Sequence, residues 1–143
     1  DWSSDVCSSD LDIDSAEVAL KRLRETKVAG LMIGRYAMSH PWIFSEIRKA
    51  LEGGRAKVQE VSLRDRWDFI LKHARMEVDW WEGREELAMR SMRARFMAYT
   101  KGLPGGARLR GLLQKVSTIY ELEQIAADHL QSVEKLCGIS ARA

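Results

Sequence analysis

Two kinds of hydrophobic spacing run through this chain. Between residues 62 and 130 apolar side chains recur at steps of three and four, whereas Val28–Ile33 is an unbroken apolar run closed by Gly34 and Arg35. Leu63, Trp67, Ile70, Leu71, Ala74, Val78 and Trp81 mark one broad apolar face. That spacing predicts a helix opened by Ser62 and interrupted at Gly83. A second helix is expected from about Arg84 to Lys101, with Ala88, Met92, Phe96 and Tyr99 inward. Gly102 and Pro104 stop it. Ala107 to Val116 makes a shorter helix, and Thr118 with Glu121 forms a capping box for a last helix through Leu130. Four helices with short connections predict a bundle over residues 57–143.

The earlier part has a different grammar. Asp14 with Glu17 resembles a capping box, and Ala16, Leu20 and Leu23 predict an amphipathic helix to about Thr26. Val28–Ile33 lacks polar alternation, as a strand buried on both faces would. Ser39, His40 and Pro41 then look like the entry to a helix ending near Leu51, since proline suits the first helical position. Gly53 and Gly54 close it, and a polar connection follows. Residues 1–11, rich in Ser and Asp, have no helical or strand period and read as loop. A strand apolar on both faces needs neighbours on both edges and helices on both sides. A whole (β/α)8 barrel takes roughly 250 residues, so residues 12–56 are expected to be the closing βα piece of such a barrel. The fold expected is mainly α: a terminal βα piece, then a four-helix bundle.

Composition narrows the classes. Apolar content of 45% supports a packed core, and no apolar run approaches the roughly 20 residues that cross a bilayer. The first residues lack the basic start and apolar centre of a signal peptide, so a cytoplasmic location is expected. Cys7 and Cys137 belong to no CxxC or Cys–His cluster, so no metal site is expected. There is no P-loop, HExxH or GxSxG.

Charge is uneven. Residues 1–34 carry seven acids and four bases, whereas residues 84–115 carry eight bases against Glu85 and Glu86. The second segment therefore suits a polyanion. Arg90, Arg93 and Lys101 fall on one side of their expected helix, and Arg108 and Arg110 lie just past the GLPGGA turn. Together they could cradle RNA phosphates, the alternative being a solvated basic face. Trp67 and Trp81 lie on the apolar stripe and read as core. Trp80 is the aromatic expected to be exposed, with stacking on a base open to it. His40 reads as a loop or cap residue, and His73 and His129 are given no chemistry. At the other site, a strand–glycine–helix turn exposes backbone N–H groups that favour an anion, and Gly34 and Arg35 occupy it.

The wording of three segments adds a resemblance. GRYAMSHPWIF resembles the last barrel strand and following helix of the tRNA-dihydrouridine synthases, which usually show Met-Ile-Gly-Arg, a small residue, then Asn-Pro-Trp. His40 stands where that family usually has asparagine. LDIDSAEVALKRL resembles the family's Asn-Gly-Asp-Ile segment, with Asp12 and Ile13 matching and Asp10 and Leu11 departing. MRARFMAYTKGLPGGARLR resembles its carboxyl-terminal domain. The resemblance spans roughly residues 12–130 and implies a flavoenzyme in which FMN, reduced by NADPH, reduces the C5–C6 bond of a tRNA uridine. It implies FMN-phosphate contact at Gly34 and Arg35, and tRNA contact at Arg90, Arg93, Lys101, Arg108 and Arg110. The family's proton-donating cysteine has no counterpart here, since Cys7 sits in an unrelated context. No catalytic residue is assigned, and the chain is expected neither to retain FMN nor to turn over by itself. Residues 1–11 are expected to be foreign to this pattern. Two other readings stand beside this one: a helical RNA-binding module working alone, and the tail of a different phosphate- or flavin-binding barrel.

Overall fold

A computed structural model of the protein describes residues 13–53 and 61–140. Its elements are α1 (Ala16–Thr26), α2 (Arg35–Ser39), α3 (Ile43–Leu51), α4 (Leu63–Trp80), α5 (Glu85–Tyr99), α6 (Gly106–Leu113) and α7 (Ile119–Ser140). They fall into two compact units, Asp1–Glu60 and Val61–Ala143. The boundary expected at residue 57 and the irregular start expected over residues 1–11 lie outside the described residues.

In the first unit, Ser15 rather than Asp14 caps α1, its hydroxyl accepting from the Val18 amide at 3.3 Å. The helix ends at Lys27, which takes a left-handed φ of 56°. α1 packs on α3 through small residues: Ala16 and Ala19 let Ile43 approach closely, and Ile13 completes a core of four buried apolar side chains. The expected strand is corrected. Val28–Ile33 forms no ladder, no strand occurs among the described residues, and Met32 is 71% exposed. A strand exists only when its N–H and C=O groups find an adjacent strand, and a lone apolar run has none. The barrel piece is therefore not seen as a βα unit. The connection before α3 also holds a helix not expected from sequence, α2.

The second unit is helical throughout. Ser62 caps α4, accepting from the Asp65 amide at 3.0 Å. α4 ends in a Schellman motif: Gly83 N–H bonds the Val78 carbonyl at 2.9 Å and Glu82 N–H the Asp79 carbonyl at 3.1 Å. The left-handed residue of that motif is Glu82, at φ 53°, and Gly83 follows at φ 81°. α5 then returns antiparallel along α4, and α7 runs antiparallel to α4 on another side, with Arg75 meeting Glu123 and Arg64 meeting Glu134. Trp67, Ile70, Met89, Met92, Phe96, Leu113 and Leu122 are almost fully buried at the centre.

Three ends differ from expectation, and one is that of α6, which stops at Leu113 rather than Val116. α5 stops at Tyr99, so Lys101 sits in the following turn rather than on the helix. The buried Thr100 hydroxyl bonds back to the Phe96 carbonyl at 2.6 Å, and Gly102 at φ 81° turns the chain away. α7 continues to Ser140, ten residues beyond the expected end, because Val133 and Leu136 prolong the three–four spacing past the polar Gln131 and Ser132.

Candidate functional site

Gly34 caps α2 with φ −96°, and Arg35 opens the helix with an exposed side chain. A cluster of side chains joins α2, the turn after it and α3. The His40 Nε2–H donates to Oε1 of Glu46 at 2.9 Å, and Glu46 is 4% exposed. Tyr36 and Trp42 flank the imidazole, with ring centroids 5.2 and 5.6 Å away. The Tyr36 phenol is pushed above its ordinary value by burial, then by the negative charges of Glu46 and Asp14. His40 is thus a partner of a buried carboxylate. Sequence gave no sign of this, since six residues separate the pair.

Four arginines of the second unit are paired with acids, while Lys72, Lys115 and Lys135 are exposed with no ion pair among the described residues. Arg75 is bound to Glu123 at 2.6 Å, and Arg64, Arg84 and Arg95 lie 3.8–3.9 Å from Glu134, Glu82 and Glu77. Arg84 also lies over the Trp81 ring at 5.5 Å. The five cations singled out by sequence are placed differently. Arg90 and Arg93 are exposed on α5, Lys101 is exposed in the turn after it, and Arg108 and Arg110 are exposed on α6. No salt bridge among the described residues engages any of the five. The five come from two consecutive helices and the turn between them. An exposed, unneutralised cation is the kind that can release counterions from a polyanion.

The histidines without assigned chemistry turn out to hold the helices together. Trp67 Nε1–H donates to His129 Nδ1 at 3.0 Å, and His129 Nε2 lies 2.8 Å from the Pro104 carbonyl. Because indole only donates and a carbonyl only accepts, His129 is the neutral Nε2–H tautomer. This chain joins α4, α7 and the turn before α6 across 62 residues of sequence. On the other side of α4, His73 Nδ1 lies 3.0 Å from the Tyr99 hydroxyl, and Phe69 packs edge-on against Tyr99. Burial, then the nearby Arg95, lowers the His73 pKa from its ordinary value, with Glu77 opposing. The Ser91 hydroxyl bonds Glu77 and holds its carboxyl below the usual value against the effect of burial, helped by Trp81 and Arg95.

At the far end Glu121 accepts from the Ser117 amide at 2.8 Å while the Thr118 hydroxyl accepts from the Glu121 amide at 3.2 Å. The capping box therefore closes on Ser117, one residue early. Glu85 of α5 takes the Ile119 amide at 3.0 Å. A cleft of about 180 Å³ lies between α6 and α7, with Leu109, Leu112, Ile125 and Val133 in its walls and Arg108, Asp128 and Ser132 also lining it. Trp80 is 81% exposed, while Trp67 is core and Trp81 is half-buried against it. No cluster of three or more His, Cys, Asp or Glu among the described residues could hold a metal, and no described helix is long and apolar enough to cross a membrane.

Residues 12–135 match the family model described as dihydrouridine synthase (Dus). A probable tRNA-dihydrouridine synthase of Aquifex aeolicus is 29% identical over 111 residues, covering 78% of this chain and 33% of that protein. One from Mycobacterium leprae is 31% identical over 112 residues, with 78% and 28% covered. The tRNA-dihydrouridine synthase B of Pseudomonas aeruginosa is 34% identical over 105 residues, with 73% and 31% covered. The chain thus spans about a third of the length of these relatives.

Proposed function

The chain belongs to the dihydrouridine synthase family, and from that premise we propose that its second unit binds tRNA for an FMN-dependent, NADPH-driven reduction of uridine to 5,6-dihydrouridine. The observation that carries this reading is the sorting of the cations. Four arginines of the second unit are paired with acids on the protein, whereas Arg90, Arg93, Lys101, Arg108 and Arg110, like Lys72, Lys115 and Lys135, are exposed with no ion pair among the described residues. Phosphates fill that role and position the RNA by shape. A tRNA substrate places the enzyme in the cytoplasm.

In the first unit, Gly34 and Arg35 would meet the phosphate of FMN. A guanidinium beside a backbone N–H at a helix start suits a phosphate dianion. The bound flavin supplies the hydride, and the surfaces enclosing its ring would come from chain outside these 143 residues. No residue here is assigned the proton-donating role of the family cysteine. A polypeptide of this sequence is therefore expected to purify without flavin and to reduce no uridine.

Titration of the chain with a tRNA transcript and with duplex DNA over a series of salt concentrations tests the reading. Expected is tRNA binding that weakens steeply with salt and exceeds binding to DNA of equal length. Equal binding to both at every salt concentration would make the surface a general polyanion patch.

A further inference from the structure

The basic surface accounts for phosphates, but not for the cleft beside it. We propose that the α6–α7 cleft receives a single unstacked RNA base, with guanine the base it fits best. This rests on the tRNA reading above and extends it from backbone contact to base contact.

The size and lining of the cleft set the class of ligand. An apolar cavity of roughly 150 Å³ is enough to hold one six-membered aromatic ring, so this open cleft of about 180 Å³ takes the six-membered ring of a base and leaves the five-membered ring of a purine at its mouth. It is too small for the 300–1,000 Å³ typical of drug-sized ligands. Leu109 and Ile125 form its inner walls, and Leu112, 44% exposed, continues the apolar surface outward. A flat ring meets such walls through its faces, as bases do when they leave the stack.

Charge selects a nucleic-acid ring over a protein side chain. Residues 101–115 carry Lys101, Arg108, Arg110 and Lys115 and no acid. Arg108 itself lines the cleft, is exposed, and has no ion pair among the described residues. A ring carrying its own phosphate satisfies both features at once. Asp128 then provides selection. It is exposed, lines the same cleft, and its carboxylate has no hydrogen-bond partner among the described residues; the Ser132 hydroxyl bonds its backbone carbonyl instead, at 2.7 Å. A carboxylate only accepts, and guanine alone among the four bases offers two adjacent N–H donors, N1–H and N2–H, to its two oxygens. His129 also lines the cleft but is spent: both ring nitrogens are already bonded, to Trp67 and Pro104. It serves as a rigid wall and as a reporter, because its partner is an indole N–H.

The test is an NMR titration of the full 143-residue chain with each nucleoside monophosphate, reading the Trp67 indole N–H resonance, alongside the tRNA salt titration. GMP should move the Trp67 resonance at millimolar concentration, and the other three monophosphates should bind about tenfold or more weakly. Asp128→Asn should remove about tenfold from GMP affinity while the unligated Trp67 resonance stays in place, showing an intact fold. If GMP leaves that resonance unmoved at tens of millimolar while tRNA binds with its salt dependence, the cleft is no base site and the tRNA reading survives. If GMP binds there and tRNA does not bind at all, the tRNA reading fails and the cleft stands as a mononucleotide site. Equal shifts from all four monophosphates, unaffected by Asp128→Asn, would overturn the selection of guanine.

Discussion

The two units of this chain bury their apolar residues very differently. The first has a core of four residues, Ile13, Ala16, Ala19 and Ile43, while Met32, Met38, Phe44 and Leu51 are 52–71% exposed. The second buries thirteen residues in one cluster, twelve from four helices and Val116 from the connection between α6 and α7, and surrounds them with ten partly buried apolar side chains. Both stretches have clear apolar patterns in sequence. The difference lies in whether the partners for those patterns are within the same unit. In the second unit each amphipathic face meets another; in the first, Met32 of the apolar run after α1 and Phe44 and Leu51 of α3 stay largely exposed, and Val28, Leu31 and Ile33 are only half-buried.

The sharpest way to break this comparison is to remove a phenylalanine from each unit. Phe96→Ala, in the fully buried centre, should cost about 3–5 kcal/mol. Phe44→Ala, at a half-exposed site, should stay within about 0.5 kcal/mol. Urea unfolding followed by circular dichroism gives both values, and similar costs would mean the first unit packs more tightly than described.

Trp67→Phe comes next. It leaves His129 Nδ1 without its donor and a void in the core, for a cost of about 2 kcal/mol. A change below about 0.5 kcal/mol in the same assay would show that the indole–imidazole bond contributes nothing to the helical unit.

A smaller effect follows from His73. Its folded-state pKa lies below the ordinary 6.5, so the unfolded chain takes up the proton first. Stability is therefore fully present above about pH 6.5 and declines as pH falls below it. The lowered carboxyl of Glu77 acts only below about 4.5, beneath the range in which His73 takes up its proton. The urea midpoint should fall between pH 6.5 and 5, and His73→Phe should flatten that fall. An unchanged pH profile in the variant would remove His73 from the account.

How much of this was legible in the sequence depends on the range of the interactions. α4, its Ser62 cap and its apolar face could be read directly, because helix spacing and capping are local. The Gly83 interruption was legible too, though the left-handed position proved to be Glu82. The strand at Val28–Ile33 was misread because a strand is a property of two segments, and only one was in view. Lys101 was placed on α5 by angle, but the helix had already ended two residues earlier, at Tyr99, where Thr100 bonds back and Gly102 redirects the chain. The Trp67–His129–Pro104 chain and the His40–Glu46 pair left no local trace. The exposed cations were identifiable as residue types, while their separation from the acid-paired arginines required the packing of α4 against α5 and α7.

The claim that the unpaired cations are the ones that face RNA is tested most directly by comparing two double variants in tRNA binding across salt. Arg93→Ala with Lys101→Ala removes two unpaired cations, and should lower the slope of log K against log salt by about 0.7–0.9 for each. Arg64→Ala with Arg75→Ala removes two that are held by Glu134 and Glu123, and should leave the slope unchanged. Equal slopes in both variants, or a loss only in the second, would contradict the account.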